Sequence, residues 1–413
     1  MENIKILPLY NVLLIRYAEI WLKSQKVKVR MLKTLMNNVK TALEREGIQY
    51  HKYQMSKDSS RVFFFFNNED MLKAMLIILR AFGIHSISPA LRTSNKRKNI
   101  IERSIEVAKD IMKPNESFAV RVKRSGDHDF TSIELASLVG KEINEKLSHL
   151  NLKVNLSNPD RKIYIEVRDE FSYVFSDIII SPWGGLPIES RKKSFVLDIG
   201  RLSDLTAGFL IMRRGSEIHP ILFKMKDDPE YIERWIENWK KIGLYSPYRN
   251  FTVNVIDLLG IMNEVIPLLD NKLLTCSICR ILRFVSIQWL KENLHIPIFQ
   301  NIRAIVDGLS FNNMNDCYDE IDLNSIGLNN HFSGFPIFTP LVGFNHQEIN
   351  ELSKKISNQL IKFEYCQLKP QNQIFQAEEV MKEFKTLNLV ALLDKALKEM
   401  IKITIPMSSR SVI

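Results

Sequence analysis

Residues 184–223 read GGLPIESRKKSFVLDIGRLSDLTAGFLIMRRGSEIHPILF. An apolar run at 195–199 passes through a glycine into a helical pattern at 204–214, and a second apolar run follows at 217–223. Short apolar runs bounded by turn residues are typical of buried strands, and apolar residues three and four apart are typical of a helix. The stretch therefore predicts strand, turn, helix and strand, which is the repeating unit of a parallel sheet.

The same alternation continues toward the C-terminus. The pattern predicts further strands at 251–256 and 304–306, helices at 229–242, 257–266 and 277–293, and a last helical region at 376–402. Strands that alternate with helices favour a doubly wound parallel sheet, so this part of the chain is predicted to be α/β.

The first half of the chain has a different order of elements. Strand and helix patterns at 11–22, 32–43, 61–66, 71–79 and 84–91 follow the order expected of a ferredoxin-like α+β unit. A second unit begins with a helix at 101–112 and a half-exposed strand with a basic face at 118–124. Thr131 and Glu134 then form a capping box, and an alternating strand follows at 162–168.

Length and charge limit the possible functions. A chain of 413 residues is expected to hold two or three domains. Its net charge of +10 is compatible with binding to a phosphate-rich partner. Cations cluster at 92–98, 121–124, 191–193 and 213–214, which favours nucleic acid, although each cluster alone also fits a solvated face. Neither a membrane span nor a signal peptide is predicted, so a cytoplasmic location is expected.

The chain has four cysteines, Cys276, Cys279, Cys317 and Cys366, which are too few for a disulfide scaffold. The pair Cys276 and Cys279 forms a C-x-x-C, for which metal or redox chemistry and an incidental pair are both open. Cys366 alone also fits a buried apolar position. Cys317 is interpreted as structural.

Several segments together resemble the tRNA 4-thiouridine synthetase (tRNA sulfurtransferase) family, in its shorter type without a rhodanese domain. The segments that carry the resemblance are RYAEIWLKS at 16–24, AFGIHSISPA at 81–90, FAVRVKR at 118–124, the GGLP at 184–187, RRG at 213–215 and PIFTPLVGFNHQEINEL at 336–352. The resemblance implies an N-terminal ferredoxin-like domain at 1–95, an RNA-binding THUMP domain at 96–183, a linker at 184–194, and a PP-loop ATPase-like domain at 195–413.

The same resemblance implies ATP-dependent transfer of sulfur to a tRNA uridine, with Mg²⁺ accompanying ATP, a sulfur donor, and a homodimer. The implied tRNA-binding residues are Arg121, Lys123, Arg124, Arg191, Lys192 and Lys193. The residues implied for ATP binding are Leu197, Asp198, Gly200, Arg201, Ser203, Leu222, Phe223, Arg280 and Gly308.

The pyrophosphate loop departs from the family pattern S-G-G-x-D-S. Only Gly200 remains, Arg201 stands at the second glycine, and Ser203 stands at the aspartate, with Asp204 displaced by one residue. Adjacent glycines let backbone N–H groups surround a phosphate at a helix N-terminus. If the loop kept its shape, Arg201 would need a positive φ. Either the Arg201 and Ser203 side chains rebuild a phosphate contact, or the loop has lost tight ATP binding and Asp204 is only a helix N-terminal acid.

The cysteines also match the family. Cys276, Cys279 and Cys366 resemble the ligands of a [4Fe–4S] cluster, with Cys366 at the position of the sulfur-handling catalytic cysteine. Two functions are therefore expected as rivals: a working tRNA sulfurtransferase, or a catalytically inactive tRNA-binding homologue. A third, weaker hypothesis is changed chemistry that uses the cluster without ATP.

Overall fold

The computed structural model describes residues 6–293, 299, 301–310, 323–368 and 376–407. The chain divides into two compact units, Met1–Leu186 and Pro187–Ile413. Cys317 lies outside the described residues.

The N-terminal part of the first unit has the predicted ferredoxin-like order. Its elements are β1 (Val12–Tyr17), α1 (Gln25–Arg45), β2 (Lys52–Met55), β3 (Val62–Phe65), α2 (Asn68–Arg80) and β4 (Ile84–Ser94). The predicted strand region at 11–22 is wrong in its second half, because Glu19–Leu22 is a 3₁₀ turn. Trp21 and Leu22 are exposed there, so the apolar residues do not continue a buried strand.

The second half of this unit extends the same sheet. Its elements are α3 (Arg97–Ile111), β5 (Ser117–Ser125), α4 (Ser132–Lys146), β6 (Lys153–Val154), β7 (Arg161–Arg168), β8 (Phe171–Phe175) and β9 (Ile179–Ile180). The strand β4 pairs with β1 at one part of its length and with β8 at another. The sheet order is β2-β3-β1-β4-β8-β7-β5-β6, and β9 pairs with β4. The predicted capping box is present, since Thr131 Oγ1 accepts a hydrogen bond from Glu134 N.

A buried ionic network joins the two halves of this unit. Glu166 on β7 accepts hydrogen bonds from Arg16 (Nη2 to Oε1, 2.7 Å), from Arg61 (Nε to Oε2, 2.9 Å) and from Arg168 (Nη2 to Oε2, 3.1 Å). Burial alone would raise the pKa of Glu166, but Arg16 and Arg61 outweigh burial and hold this pKa below its usual value. One carboxylate therefore pairs with arginines from both halves of the sheet.

The second unit is built on a six-stranded sheet. Its strands are β10 (Glu189–Asp198), β11 (Ser216–Lys224), β12 (Asn250–Asp257), β13 (Ile302–Val306), β14 (Ile337–Phe338) and β15 (Ile401–Pro406). Its helices are α5 (Leu202–Arg213), α6 (Pro229–Gly243), α7 (Leu258–Val265), α8 (Thr275–Asn293), α9 (Leu323–Ser333), α10 (His346–Ile356), α11 (Ala377–Thr386) and α12 (Val390–Lys398). The strand order is β14-β13-β10-β11-β12-β15, and the first five strands are parallel.

The predicted helix at 376–402 is wrong at its end. The region forms α11 and α12, and the chain then turns into β15, which pairs antiparallel with β12. The sequence IKITIP alternates apolar and polar residues, which is the period of a strand rather than of a helix.

One helical segment, Lys272–Glu292, is long and apolar enough to cross a membrane by length and composition alone. Its apolar window is 67% buried within the protein. Its side chains Ile278, Leu282 and Leu290 belong to the core of the second unit. The segment is therefore packed as a core helix.

Replacing Glu166 with glutamine leaves three arginines around a neutral side chain in a buried place. Removal of one partner from a buried ion pair costs about 3 kcal/mol, so we expect Glu166→Gln to lower the free energy of unfolding by about that amount in urea titrations at pH 7. Because the folded pKa of Glu166 is lowered, its stabilisation is present above the unfolded pKa and disappears as the pH falls through the folded pKa.

The matched control is Glu145→Gln. Glu145 is exposed and lies 3.7 Å from Lys141 across a surface ion pair, so its replacement is expected to change stability by less than about 0.5 kcal/mol. Equal effects of the two variants would contradict a central role for Glu166.

Candidate functional site

The carboxyl ends of β10 and β13 meet where the winding of the sheet reverses. From β10 the chain proceeds outward through β11 to β12, whereas β13 lies on the other side of β10 and leads to β14. Ligands of doubly wound folds bind in the crevice at such a point. The turn after β10 contains Gly200 and Arg201, and β13 is followed by Asp307 and Gly308. The structure thus brings the predicted loop residues and Gly308 together.

The turn after β10 does not have the shape of a two-glycine loop. Gly200 has a φ of +96°, whereas Arg201 has φ −80° and ψ 148° and is the N-cap residue of α5. Gly200 alone supplies the left-handed residue, and Arg201 is in ordinary extended backbone. Arg201 therefore has no positive φ, because the turn does not adopt the shape of a loop with two adjacent glycines.

The Arg201 side chain turns into the site and forms a two-pronged ion pair. Its Nε lies 3.1 Å from Asp204 Oδ2 and its Nη2 lies 2.6 Å from Asp204 Oδ1. Asp307 Oδ1 is 3.6 Å from the same Nη2. The side chain of Arg201 is 3% exposed and that of Asp204 is fully buried. Asp204 also accepts a hydrogen bond from Ile199 N, so it closes the turn rather than merely beginning a helix.

Gly308 lies directly against the first turn of α5. A Cβ atom at Gly308 would be 2.4 Å from Asp204 Oδ1, 2.6 Å from Asp204 N and 2.7 Å from the carbonyl carbon of Ser203. The backbone at Gly308 therefore occupies the approach to the helix N-terminus where a phosphate would bind. Only glycine fits there without displacing the helix.

Aromatic side chains cover the other side of the turn. A Cβ atom at Gly200 would be 2.9 Å from the ring of Phe363, 3.0 Å from the hydroxyl oxygen of Tyr231 and 3.2 Å from Tyr365. The Tyr231 hydroxyl donates a hydrogen bond to Ile199 O at 2.6 Å. The turn is thus packed against the segment that precedes Cys366.

Asp198, the last residue of β10, is held by three N–H donors. Its carboxylate accepts hydrogen bonds from Gly200 N at 2.6 Å, from Trp239 Nε1 at 2.7 Å and from Trp235 Nε1. Burial, with a smaller contribution from Asp204, raises the pKa of Asp198 to about 7, and the donors oppose that shift. Both tryptophans lie in the helix predicted at 229–242, and its sequence pattern gave no signal for this carboxylate.

The remaining residues predicted to bind ATP lie in the same unit. Asp198 is the register partner of Leu222, and Leu197 and Phe223 adjoin them at the ends of β10 and β11. All four are buried. Ser203 is buried in the first turn of α5, and Arg280 is buried on α8. The backbone adenine contact expected at these strand ends stays a prediction.

Two of the three predicted cluster cysteines adjoin Met225. Cys279 Sγ on α8 is 3.9 Å from Met225 Sδ, and the backbone at Cys366 forms a parallel bridge with Met225. Cys276 lies one helical turn before Cys279. Within the described residues, no three His, Cys, Asp or Glu side chains are grouped to hold a metal ion. The thiolates suit an iron–sulfur cluster chemically, but their arrangement does not form one metal site here.

The predicted tRNA-binding cations differ in their surroundings. Arg121 and Lys123 are exposed on β5, where Arg121 donates to Leu156 O, and Arg124 donates to the carbonyl groups of His128 and Phe130. On β10, Arg191 and Lys192 are about half exposed and pair with Glu189, whereas Lys193 is mostly buried and pairs with Glu217 at 3.0 Å. Exposed cations on both strands are available to phosphate groups.

Three family models match the chain in order. They are the ThiI ferredoxin-like domain at residues 12–88, the THUMP domain at 98–177, and the thiamine biosynthesis protein (ThiI) model at 196–389. A probable tRNA sulfurtransferase of Methanobrevibacter smithii is 28% identical over 84% of this chain and 86% of its own length. One of Saccharolobus islandicus is 27% identical over 90% of this chain and 94% of its own length.

A solved structure has the same fold. It is described as a 4-thiouridine synthetase–RNA complex with bound ATP, and it matches with a TM-score of 0.81 at 20% sequence identity. The match covers 96% of this chain and 100% of that one. At this identity the likeness establishes the architecture alone.

Removing the Arg201 side chain would leave Asp204 and Asp307 as buried carboxylates without their shared cation. We expect Arg201→Ala to lower the free energy of unfolding of the second unit by about 3 kcal/mol in chemical denaturation. Arg234→Ala is the matched control, because Arg234 forms an exposed pair with Glu230 on α6, and a loss below about 0.5 kcal/mol is expected. An Arg201→Ala variant as stable as the control would contradict a structural role for the pair.

Proposed function

The chain belongs to the tRNA sulfurtransferase (4-thiouridine synthetase) family, and from that premise we propose that it is a tRNA-binding member that has lost ATP-dependent sulfur transfer. Its RNA-binding module is the THUMP domain at 98–177. The observation that carries the proposal is the buried pair of Arg201 with Asp204 at the start of α5.

Phosphate binding at a helix N-terminus needs open backbone N–H groups and a positive local charge. In the turn before α5, the N–H of Ile199 is already bonded to Asp204, and that of Gly200 is bonded to Asp198. The backbone at Gly308 stands in front of the first helical turn. These contacts support the loss of a pyrophosphate site, because an entering phosphate would have to displace all of them.

Charge in the site also supports the proposal. The guanidinium of Arg201 faces the two carboxylates of Asp204 and Asp307 and forms a two-pronged hydrogen-bonded pair with the first. Two carboxylates beside one cation disfavour a triphosphate. The hypothesis that Arg201 rebuilds a phosphate contact would require this pair to break first.

The partner in this proposal is tRNA. Arg121 and Lys123 present exposed charge on β5 of the THUMP region, and the chain carries a net charge of +10. Phosphate contacts provide most of the affinity of such surfaces. The family likeness further favours a homodimer that works on tRNA in the cytoplasm.

A second candidate function, a working sulfurtransferase, is favoured by the cysteines. Cys279 and Cys366 approach Met225 from different elements, which places two sulfur-bearing side chains of the family pattern in one region. In this candidate Cys366 would handle the sulfur from a donor, and ATP with Mg²⁺ would activate the uridine.

Nucleotide binding separates the two candidates. We expect no measurable heat of binding in calorimetry at millimolar ATP and Mg²⁺, because Asp204, Gly308 and Phe363 close the turn at Gly200. Mass spectrometry of tRNA nucleosides is expected to give the same 4-thiouridine content with and without the gene.

An ATP dissociation constant below about 1 mM, lost in Arg201→Ala, would instead favour the working enzyme. A loss of 4-thiouridine on deletion that wild-type protein restores and Cys366→Ala does not restore would favour it as well.

Binding of tRNA is expected to weaken steeply with salt, because each phosphate contact releases counterions. Lys123→Ala should weaken binding and reduce the slope of log K against log salt concentration by about 1, as measured by fluorescence anisotropy. Lys73→Ala on α2 is the control, since Lys73 is exposed but lies outside the basic clusters, and its slope should be that of the wild type. A flat salt dependence of the wild type would contradict tRNA binding through these cations.

A further inference from the structure

A second concave site lies at the opposite edge of the parallel sheet. A cavity of about 220 Å³ is formed at the amino ends of β11 and β12, whereas the turn at Arg201 lies beyond the carboxyl end of β10. Its apolar wall comes from Ile188, Met212, Ile218 and Phe251. Its polar wall comes from Ser190, Glu217, His219, Ser246, Tyr248, Asn250 and Thr252.

Glu217 is the centre of the polar wall. Its carboxylate lies 3.0 Å from Lys193 Nζ and accepts a hydrogen bond from the Tyr248 hydroxyl at 3.2 Å. Because Glu217 already neutralises Lys193, the cavity offers hydrogen-bonding groups rather than a strong net charge.

His219 lies against Glu217 in the polar wall. Its side chain is 6% exposed, and its Nε2 lies 3.1 Å from Glu217 Oε1. Burial raises the pKa of Glu217, but His219 and Lys193 outweigh burial and hold this pKa below its usual value. A ligand that enters the cavity would therefore meet a paired carboxylate and imidazole rather than an isolated charge.

The rim of the cavity carries exposed cations. Arg191 and Lys192 directly follow Ser190, which lines the cavity, and Arg249 lies between the lining residues Tyr248 and Asn250. Arg191 and Lys192 share one carboxylate, that of Glu189. Phosphate groups at this rim would thus be attracted to positive charge.

Aromatic rings, hydrogen-bonding groups and rim cations together are the chemistry that proteins use to hold an unstacked nucleotide. The cavity is smaller than the pockets of about 300 Å³ or more that enclose drug-sized ligands, so it suits one planar base rather than a whole nucleoside triphosphate. We propose that it receives one unstacked base of the bound RNA, with the flanking phosphates at Arg191, Lys192 and Arg249.

This inference rests on the proposed tRNA binding and adds a second contact, on the unit that has lost the phosphate site. The test uses the full chain and an unmodified tRNA transcript in which 5-bromouridine replaces uridine. Ultraviolet cross-linking and mass spectrometry would then identify the peptide attached to the RNA. A cross-link within residues 245–252 is expected, since Tyr248 and Phe251 line the cavity.

Ser190→Trp blocks the cavity from an exposed position, so folding should be little affected. We expect this variant to lose the cross-link and to bind tRNA roughly tenfold more weakly, the scale of one lost base contact. Ile401→Trp is the matched control, because Ile401 is also an exposed strand residue of the second unit, and neither Ile401 nor its register partner Val255 lines the cavity. It should keep both the cross-link and the wild-type affinity.

Other outcomes overturn the inference in distinguishable ways. If tRNA binds with the Lys123-dependent salt slope but Ser190→Trp behaves as wild type, the base contact is wrong and the proposed function stands. If neither the wild type nor any variant binds tRNA, the base contact and the proposed function are both wrong. If uridine monophosphate shows saturation-transfer signals that Ser190→Trp abolishes, while tRNA gives no cross-link in 245–252, the cavity holds a free nucleotide and the RNA contact is wrong.

Discussion

The turn after β10 depends on the buried pair between Arg201 and Asp204. A guanidinium that is almost fully buried cannot lose its carboxylate without a large free-energy cost, so the pair fixes the turn after β10 in one shape. Gly308 packs on the carboxylate oxygen of that pair, and Tyr231 packs on the glycine before it. The turn that holds this pair thus contacts three separate segments of the chain, at 231, at 307–308 and at 363–365.

The sequence was sufficient for most of the architecture because the relevant signals are local. The apolar period predicted α5, β11 and the second half of β10, which begins at Glu189 rather than at 195. The Thr131–Glu134 capping box follows from a spacing of three residues. The end of the chain was predicted wrongly as helix. There β15 is defined by pairing with β12, about 150 residues earlier in the chain, and only its two-residue period could have indicated a strand.

The site was less predictable because its contacts join distant parts of the chain. The sequence shows that Arg201 stands where the family pattern has its second glycine. The positive φ expected of Arg201 assumed that the backbone of the loop keeps the family's shape. The structure instead places the positive φ at Gly200 and directs the guanidinium to Asp204 and Asp307. The donors from Trp235 and Trp239 to Asp198 come from another helix, so helical spacing could indicate burial but not the partner.

The two ends of the parallel sheet therefore carry opposite constraints. At the carboxyl ends, Asp198 and Asp204 accept hydrogen bonds from backbone, indole and guanidinium donors and are buried in the second unit. At the amino ends, Glu217 and His219 line a cavity that the protein does not fill. In the second unit, the turn after β10 is packed closed, whereas the amino ends of β11 and β12 keep a polar cavity with exposed cations at its rim. This arrangement fits the proposal that the protein binds RNA without activating a uridine. The proposed loss of chemistry and the proposed retention of tRNA binding are thus compatible, because they depend on different edges of the same sheet.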